Sequence, residues 1–315
     1  MLLSQITQQG FLPMHIRNIL FFMIMTLLLQ GCFDNNNQLT WVAVNVSNPK
    51  PQGDAHVITK NDKTVIIDGG EYRQGKKNLL PYLKKNHLLE IDKVMITHPH
   101  FDHYGGIIAL LEDRNFTIHN LSMNMPTEEQ MKREWWGGKY KDLVYLRKLA
   151  KERDIPISKI AQGDTFTFDK DSYIKVLYAF DGINTPVGVT DINDMSALTM
   201  IYDGENRFLL TGDLNKKLGT WLAKNAKDIR ADILKVPHHS AEGLAPNSFF
   251  DAVSAKQFIV PAPAYFWTAQ WDRSKRVRTY VNEHNITAYV TGIHGNITVI
   301  SEDNKYSISI EKNQK

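Results

Sequence analysis

The chain has 315 residues, 43% of them hydrophobic and 23% charged, with a formal net charge of +3. These are ordinary globular proportions, with length enough for one large domain or two small ones. The weak positive charge excludes any argument for nucleic-acid binding from composition alone. No internal repeat is present, and the only low-complexity patch is Asn35-Asn36-Asn37.

The N-terminal segment reads as a targeting signal. Met14-His15-Ile16-Arg17 is weakly positive, residues 19–29 form an almost unbroken apolar run, and Phe33-Asp34-Asn35 turns polar at once. A run this short suits the core of a signal peptide better than a membrane span. Cys32 is the only cysteine, so no intrachain disulfide can form. Leu29-Gln30-Gly31-Cys32 resembles a bacterial lipobox, which implies lipidation of Cys32 after cleavage. The expectation is a signal peptide over 1–31, a lipid-anchored tether over 32–39 and a catalytic domain over 40–315. The mature protein is expected to be exported and held on a membrane of the cell envelope.

Strand and helix patterns alternate beyond the tether. Residues 39–46 alternate as a strand, and residues 55–59 and 64–68 read as a strand pair around Asn61-Asp62-Lys63. Residues 78–88 predict an amphipathic helix with Pro81 in its first turn. Residues 93–97 form a short apolar strand feeding a histidine-rich loop, and a helix is expected over 104–111 once Gly105-Gly106 has let the chain turn. Residues 125–153 read as polar and helical, broken at Gly137-Gly138, with basic and acidic residues (Glu134 among them) interleaved as on a solvated face. Further strands are expected at 165–168 and 173–179, a hairpin at 197–203 and 207–211, a strand at 231–236, and closing strands at 297–300 and 306–310. This pattern predicts an α/β sandwich with no linker inside residues 40–310.

Four metal-binding side chains fall within six residues: His98, His100, Asp102 and His103. A loop at a strand end directs alternate side chains to one spot, and imidazole with carboxylate suits zinc or manganese. The chain has 11 histidines in all, so three in one hexapeptide with an aspartate between them point to a metal site. Two later strand ends carry more ligands. Asp213 closes Leu209-Leu210-Thr211-Gly212-Asp213, and His238 and His239 follow Lys235-Val236-Pro237.

These segments resemble the metallo-β-lactamase superfamily, whose first metal motif is H-x-H-x-D-H. The closer likeness is to the hydrolase domain of the ComEC competence proteins. It rests on Gly53-Asp54-Ala55, on Val65-Ile66-Ile67-Asp68-Gly69-Gly70, on residues 97–106, on Asn193-Asp194-Met195-Ser196, on residues 208–213 and on residues 234–239. The resemblance implies an αββα sandwich holding one or two divalent ions. It puts His98 and His100 on a first metal, and Asp102 and His103 on a second. Asp213 bridges them, and His238 or His239 completes the second, a choice the sequence leaves open. Asp68 would stand behind a ligand. The chain departs from many members in having no further histidine for the first metal. Asp194 is the nearest substitute by position, since His119 lies too close to the first motif.

The expected chemistry is hydrolysis by a metal-activated water, with Asp102 steering it and the spare member of the His238–His239 pair binding an oxyanion or protonating a leaving group. The resemblance favours a phosphodiester, either nucleic acid or a cell-wall phosphoester, as a small-molecule or polymer substrate. Hydrolysis of a carboxylic ester, lactone or β-lactam is the alternative, and a non-catalytic lipoprotein a second one. No protein partner is expected. Trp267 and Trp271, beside Arg273, Lys275 and Arg276, are candidates to stack on substrate, against a reading in which the two pack as one helix face. Trp135 and Trp136 are candidates for a lid, against simple packing of a helical hairpin.

Overall fold

In the computed structural model, which describes residues 37–47, 51–268 and 272–311, two sheets stack face to face with helices on both outer surfaces. The expected N-terminal signal, Cys32 and Trp271 lie outside the described residues. The first sheet is built from β1 (Leu39–Ala43), β2 (Ala55–Lys60), β3 (Lys63–Gly69), β4 (Lys93–Ile96), β5 (Leu121–Met123) and β6 (Ile157–Ser158). The second comprises β7 (Thr165–Thr167), β8 (Ser172–Tyr178), β9 (Leu198–Asp203), β10 (Asn206–Leu210), β11 (Ile233–Lys235), β12 (Gln257–Val260) and β13 (Thr287–Val290). The chain then returns to the first sheet with β14 (Ile297–Glu302) and β15 (Lys305–Ile310), giving the orders β15-β14-β1-β2-β3-β4-β5-β6 and β13-β12-β11-β10-β9-β8-β7.

The period of two along each strand builds the layers. Trp41, Ile58, Ile67 and Met95 of the first sheet meet Ile201, Phe208, Ile233 and Ile259 of the second in one buried cluster. The alternate residues turn outward. Val57, Ile66 and Val94 pack under helices α1 (Phe101–Glu112) and α3 (Tyr140–Lys151), which are joined through α2 (Glu128–Arg133). Met200, Leu209, Leu234 and Phe258 pack under α4 (Lys216–Asn225), α5 (Asn247–Val253) and α6 (Lys275–Glu283). This is the αββα sandwich. At the end of β2 away from the helix-bearing loops, Lys60 donates to Ser172 and Asp203 at 2.7 and 2.8 Å, joining the two sheets across the core.

Two local expectations are corrected. The helix predicted at residue 78 starts at Tyr72, and Gly75–Leu79 widens into a π turn before Leu80–Lys85 resumes. Pro81 has no N–H to give to an α-helical ladder, and the wide turn lies just before it. Gly105 and Gly106 are inside α1, not at a turn leading into it. Their role is close approach: a Cβ on Gly106 would stand 1.9 Å from the Gly69 carbonyl oxygen. The helix therefore sits directly on the end of β3, and its first turn is carried to the sheet edge.

Candidate metal centre

All the predicted ligands lie at one edge of the sandwich, where strand ends feed short loops. β4 ends at Ile96 and delivers Thr97 and His98, and His100 precedes the first turn of α1, which carries Asp102 and His103. A carboxylate at that helix N-terminus is also favoured by the peptide dipoles. β10 ends one turn before Asp213, and β11 leads into Pro237–Ser240. Within that turn His238, His239 and Ser240 all have left-handed backbones, with φ of 49°, 50° and 62°. Three such residues in a row are strained, as backbones at functional sites often are.

Asp102, His103, Asp213 and His239 place ligand atoms within 4.8 Å of one another, all buried. Asp213 is the hub: its Oδ2 lies 3.2 Å from His103 Nε2, 3.2 Å from His239 Nε2 and 3.9 Å from His98 Nε2. His239 Nε2 is also 3.4 Å from Asp102 Oδ2. The Nε2 atoms of His98, His103 and His239 and Oδ1 of Asp213 are buried without a hydrogen-bond partner. Buried polar atoms are almost always paired, so three orphaned imidazole nitrogens gathered around Asp213 Oδ2 fit a divalent cation. His239 is thus the member of the pair inside the cluster. His238 is partly exposed at a ring distance of 6.3 Å from His239, and its Nδ1 is buried without a partner.

Each histidine is held from behind through its other nitrogen. His103 Nδ1 meets Asp68 Oδ2 at 2.8 Å, and the same carboxylate takes the Thr97 amide and hydroxyl. Thr97 Oγ1 lies 3.2 Å from His98 Nδ1, and His239 Nδ1 lies 2.9 Å from the Pro261 carbonyl. His100 Nε2 lies 3.3 Å from Glu134, whose other oxygen accepts the Ile192 amide. Such partners fix tautomer and ring orientation.

Glu134 therefore corrects the sequence reading of a solvated face, because it is buried on His100 instead. Gly137 packs on the same ring, and a Cβ there would lie 2.4 Å from it. Trp135 and Trp136 between them stay 77% and 57% exposed, so they do not pack as part of a buried hairpin.

Lys235, Asp54 and Gln52 went unread as site residues. Lys235 is fully buried, donates to the Gly212 carbonyl at 2.8 Å, pairs with Asp54 and lies 3.6 Å from Asp213 Oδ1. Asp54 also lies 3.3 Å from His239 Nδ1, and Gln52 donates to Asp102 Oδ2 at 3.0 Å. Lys235 sits in an apolar strand, where the pattern conceals a charge. The only sequence signal was its place three residues before the histidine pair.

The first-metal half is sparser. His98 and His100 stack edge-on with centroids 4.8 Å apart, and Asp213 is shared. Asp194 does not join them. It accepts the Asn215 amide at 3.0 Å, and so braces the turn that follows Asp213. His119 is remote and pairs with exposed Glu90. Trp267 ends a helix that spans only Ala264–Trp267, and it rests against the core under the second sheet.

The electrostatics follow the crowding. Burial disfavours the charged forms of His103 and His239, but the Asp213 carboxylate, with Asp68 for one and Asp54 for the other, lifts both pKa values well above the usual range. Burial lowers His98 and His238. Burial works to raise Asp213, and the neighbouring His239 and His103 overcome it and hold it low. Burial pushes Asp194 up to about 7.

Residues 49–177 match the model of the Metallo-beta-lactamase superfamily. Among solved structures, the chain is similar to the metallo-beta-lactamase fold protein YhfI from Bacillus subtilis, at 13% identity and a TM-score of 0.51, over 86% of this chain and all of that one. The chain has the metallo-β-lactamase fold. It is also similar to a CmlA beta-hydroxylase, at 14% identity and a TM-score of 0.51, over 83% of this chain and 53% of that one. The fold alone thus does not choose a reaction. Among curated proteins, ComE operon protein 3 of Bacillus subtilis is 25% identical over 60% of this chain, and Recombination protein 2 of Haemophilus influenzae 26% identical over 61%. The chain spans 22% and 20% of their respective lengths. The likeness is therefore of the ComEC type. The superfamily match over residues 49–177 and the buried His/Asp cluster together support a metal-dependent hydrolase.

Proposed function

We propose that this hydrolase cleaves phosphodiester bonds, on the outer side of a membrane to which Cys32 anchors it. The observation that carries the reading is the buried cluster of Asp102, His103, Asp213 and His239, with His98 and His100 beside it. His98, His100 and Asp213 would hold one divalent ion, zinc or manganese, and Asp102, His103, Asp213 and His239 another. When bound, such ions lower the pKa of a water and stabilise charge on a phosphoryl oxygen. Asp102, fixed by Gln52, would orient the attacking water. His238 would stand at the leaving-group side, and its lowered pKa keeps it neutral near pH 7, able to donate a hydrogen bond. A phosphodiester suits ions that would stabilise charge on a phosphoryl oxygen, and the operon and recombination named in the relatives' titles fit a nucleic-acid substrate.

Among the described residues no helix is long and apolar enough to cross a membrane, and attachment is proposed through the lipobox cysteine alone. Mass spectrometry of the membrane fraction should find a diacylglyceryl-modified Cys32 at the N-terminus. An unmodified, soluble product would remove the anchor from the reading. The activity is tested by turnover of bis-p-nitrophenyl phosphate and nitrocefin with zinc and with manganese. Phosphodiester turnover that stops with chelator is expected. Turnover of nitrocefin alone would reverse the assignment in favour of a carbonyl substrate.

A further inference from the structure

The loops that carry Asp213 and His239 run on into a second, basic cavity. It has a volume of about 610 Å³, and Lys216, Arg273, Lys275 and Arg276 line it, with Glu242 the one carboxylate. Ala241–Leu244, its floor, follows directly on His239 and Ser240. Lys216 lies three residues past Asp213, and its amide donates to the Gly243 carbonyl. Asn215 bridges to Leu244, and Ser240 Oγ meets Ser274 Oγ at the start of α6. The cavity is therefore lined by the continuation of the two loops that carry Asp213 and His239.

The four cations differ in what they do. Arg276 is structural: it donates to the Leu244 and Ala245 carbonyls at 3.2 and 2.6 Å and lies over the Phe250 ring. The Arg273 guanidinium sits over Phe266. Lys216 and Lys275 are exposed and open α4 and α6, whose first turns hold no acidic residue. Peptide dipoles disfavour a cation there by a few tenths of a kcal/mol. Two breaches of the same local preference at one cavity mark a surface selected for something other than helix stability.

We propose that this cavity binds a phosphate adjacent to the scissile one, so that the substrate is a nucleic-acid strand with its next phosphate on Lys216 and Lys275. The inference rests on the phosphodiester reading and adds a requirement to it: a polyanion should be preferred over an isolated diester. Exposed Trp135 and Trp136, beside Glu134 and Gly137 on the His100 side, favour a strand with stackable bases over a polymer of glycerol phosphate.

The test compares the wild type with the double variant Lys216→Gln, Lys275→Gln, both sites being exposed. It uses bis-p-nitrophenyl phosphate, a ten-nucleotide oligothymidylate and poly(glycerol phosphate), together with anisotropy of the fluorescein-labelled oligonucleotide on the zinc-loaded protein. The loss of kcat/KM on the oligonucleotide should exceed that on the small diester by about tenfold or more. The dependence of log affinity on log salt should become shallower by about 1.4, as expected when two phosphate contacts to a single strand are lost. Equal losses on both substrates, an unchanged salt slope, or preferred cleavage of poly(glycerol phosphate) would overturn the subsite. If bis-p-nitrophenyl phosphate is not turned over at all, the phosphodiester reading fails, while the anisotropy difference still decides the cavity.

Discussion

The two halves of the metal centre are built to different standards. The half made of Asp102, His103, Asp213 and His239 is buried, four-fold and braced from behind by Asp68, Asp54, Gln52 and the Pro261 carbonyl. The other half has two histidines, a share of Asp213 and a single carboxylate, Glu134, behind His100. A full ligand set fixes an ion, whereas an incomplete one leaves coordination positions for water and substrate. The crowded half should anchor, and the sparse half should react.

The comparison breaks most directly at Asp213, which both halves share. Asp213→Ala should abolish stoichiometric metal in both and lower kcat/KM on the order of 10³-fold, several kcal/mol at about 1.4 kcal/mol per decade. Metal analysis after gel filtration checks the first, and steady-state rates the second. Retained activity with bound metal would sink the shared role.

Separating the halves is the next step. His239→Ala should lose the tightly held ion, and His100→Ala should keep one ion per chain while losing turnover. Equal loss from both variants under limiting chelator would erase the distinction. The supporting carboxylates should divide the same way, with about 10–100-fold effects on metal affinity. Asp68→Asn should weaken the tight ion, and Glu134→Gln only the weak one.

Acid should act chiefly on the crowded half. His103 and His239 carry protons in the metal-free fold because their pKa values are raised. That stabilisation is present below the unfolded histidine pKa and is lost as pH rises through the raised values. Metal binding must expel these protons, so apparent affinity should rise with pH, about tenfold per unit for each proton released. Calorimetry in buffers of different ionisation enthalpy counts them.

The effect at Asp194 falls on folding stability and not on metal or turnover. Its pKa, raised to about 7, means the metal-free fold holds a proton that the unfolded chain releases near pH 4, so stability falls as pH rises from about 4 to 7. Three units at about 1.4 kcal/mol each bound this at about 4 kcal/mol. Asp194→Asn should flatten the melting temperature across that range in chelator-treated protein.

Much of this site could be read before folding, because it is written in local spacing. His98 to His103 occupy one loop, and strand alternation places Asp213 and the His238–His239 pair at strand ends. The choice of His239 could not be read, since it depends on three consecutive left-handed residues that no pattern announces. Glu134 was hidden for a different reason. It lies 34 residues from His100 among exposed charges, and only the Trp135–Gly138 turn brings it inward. The strand layers followed the period of two, whereas Gly105 and Gly106 looked like a turn because the strand they must clear is distant in sequence.

Lys235 carries a consequence for the order of events in this protein's life. A pocket that gathers Asp54, Asp102 and Asp213 without a metal would be pushed apart by its own charge, yet here an internal ammonium lies between two of the three. The chain brings its own counter-ion. Folding then need not wait for metal, and loading becomes a later, reversible event, so stripping the ions should silence the enzyme and leave a native shell ready to be refilled.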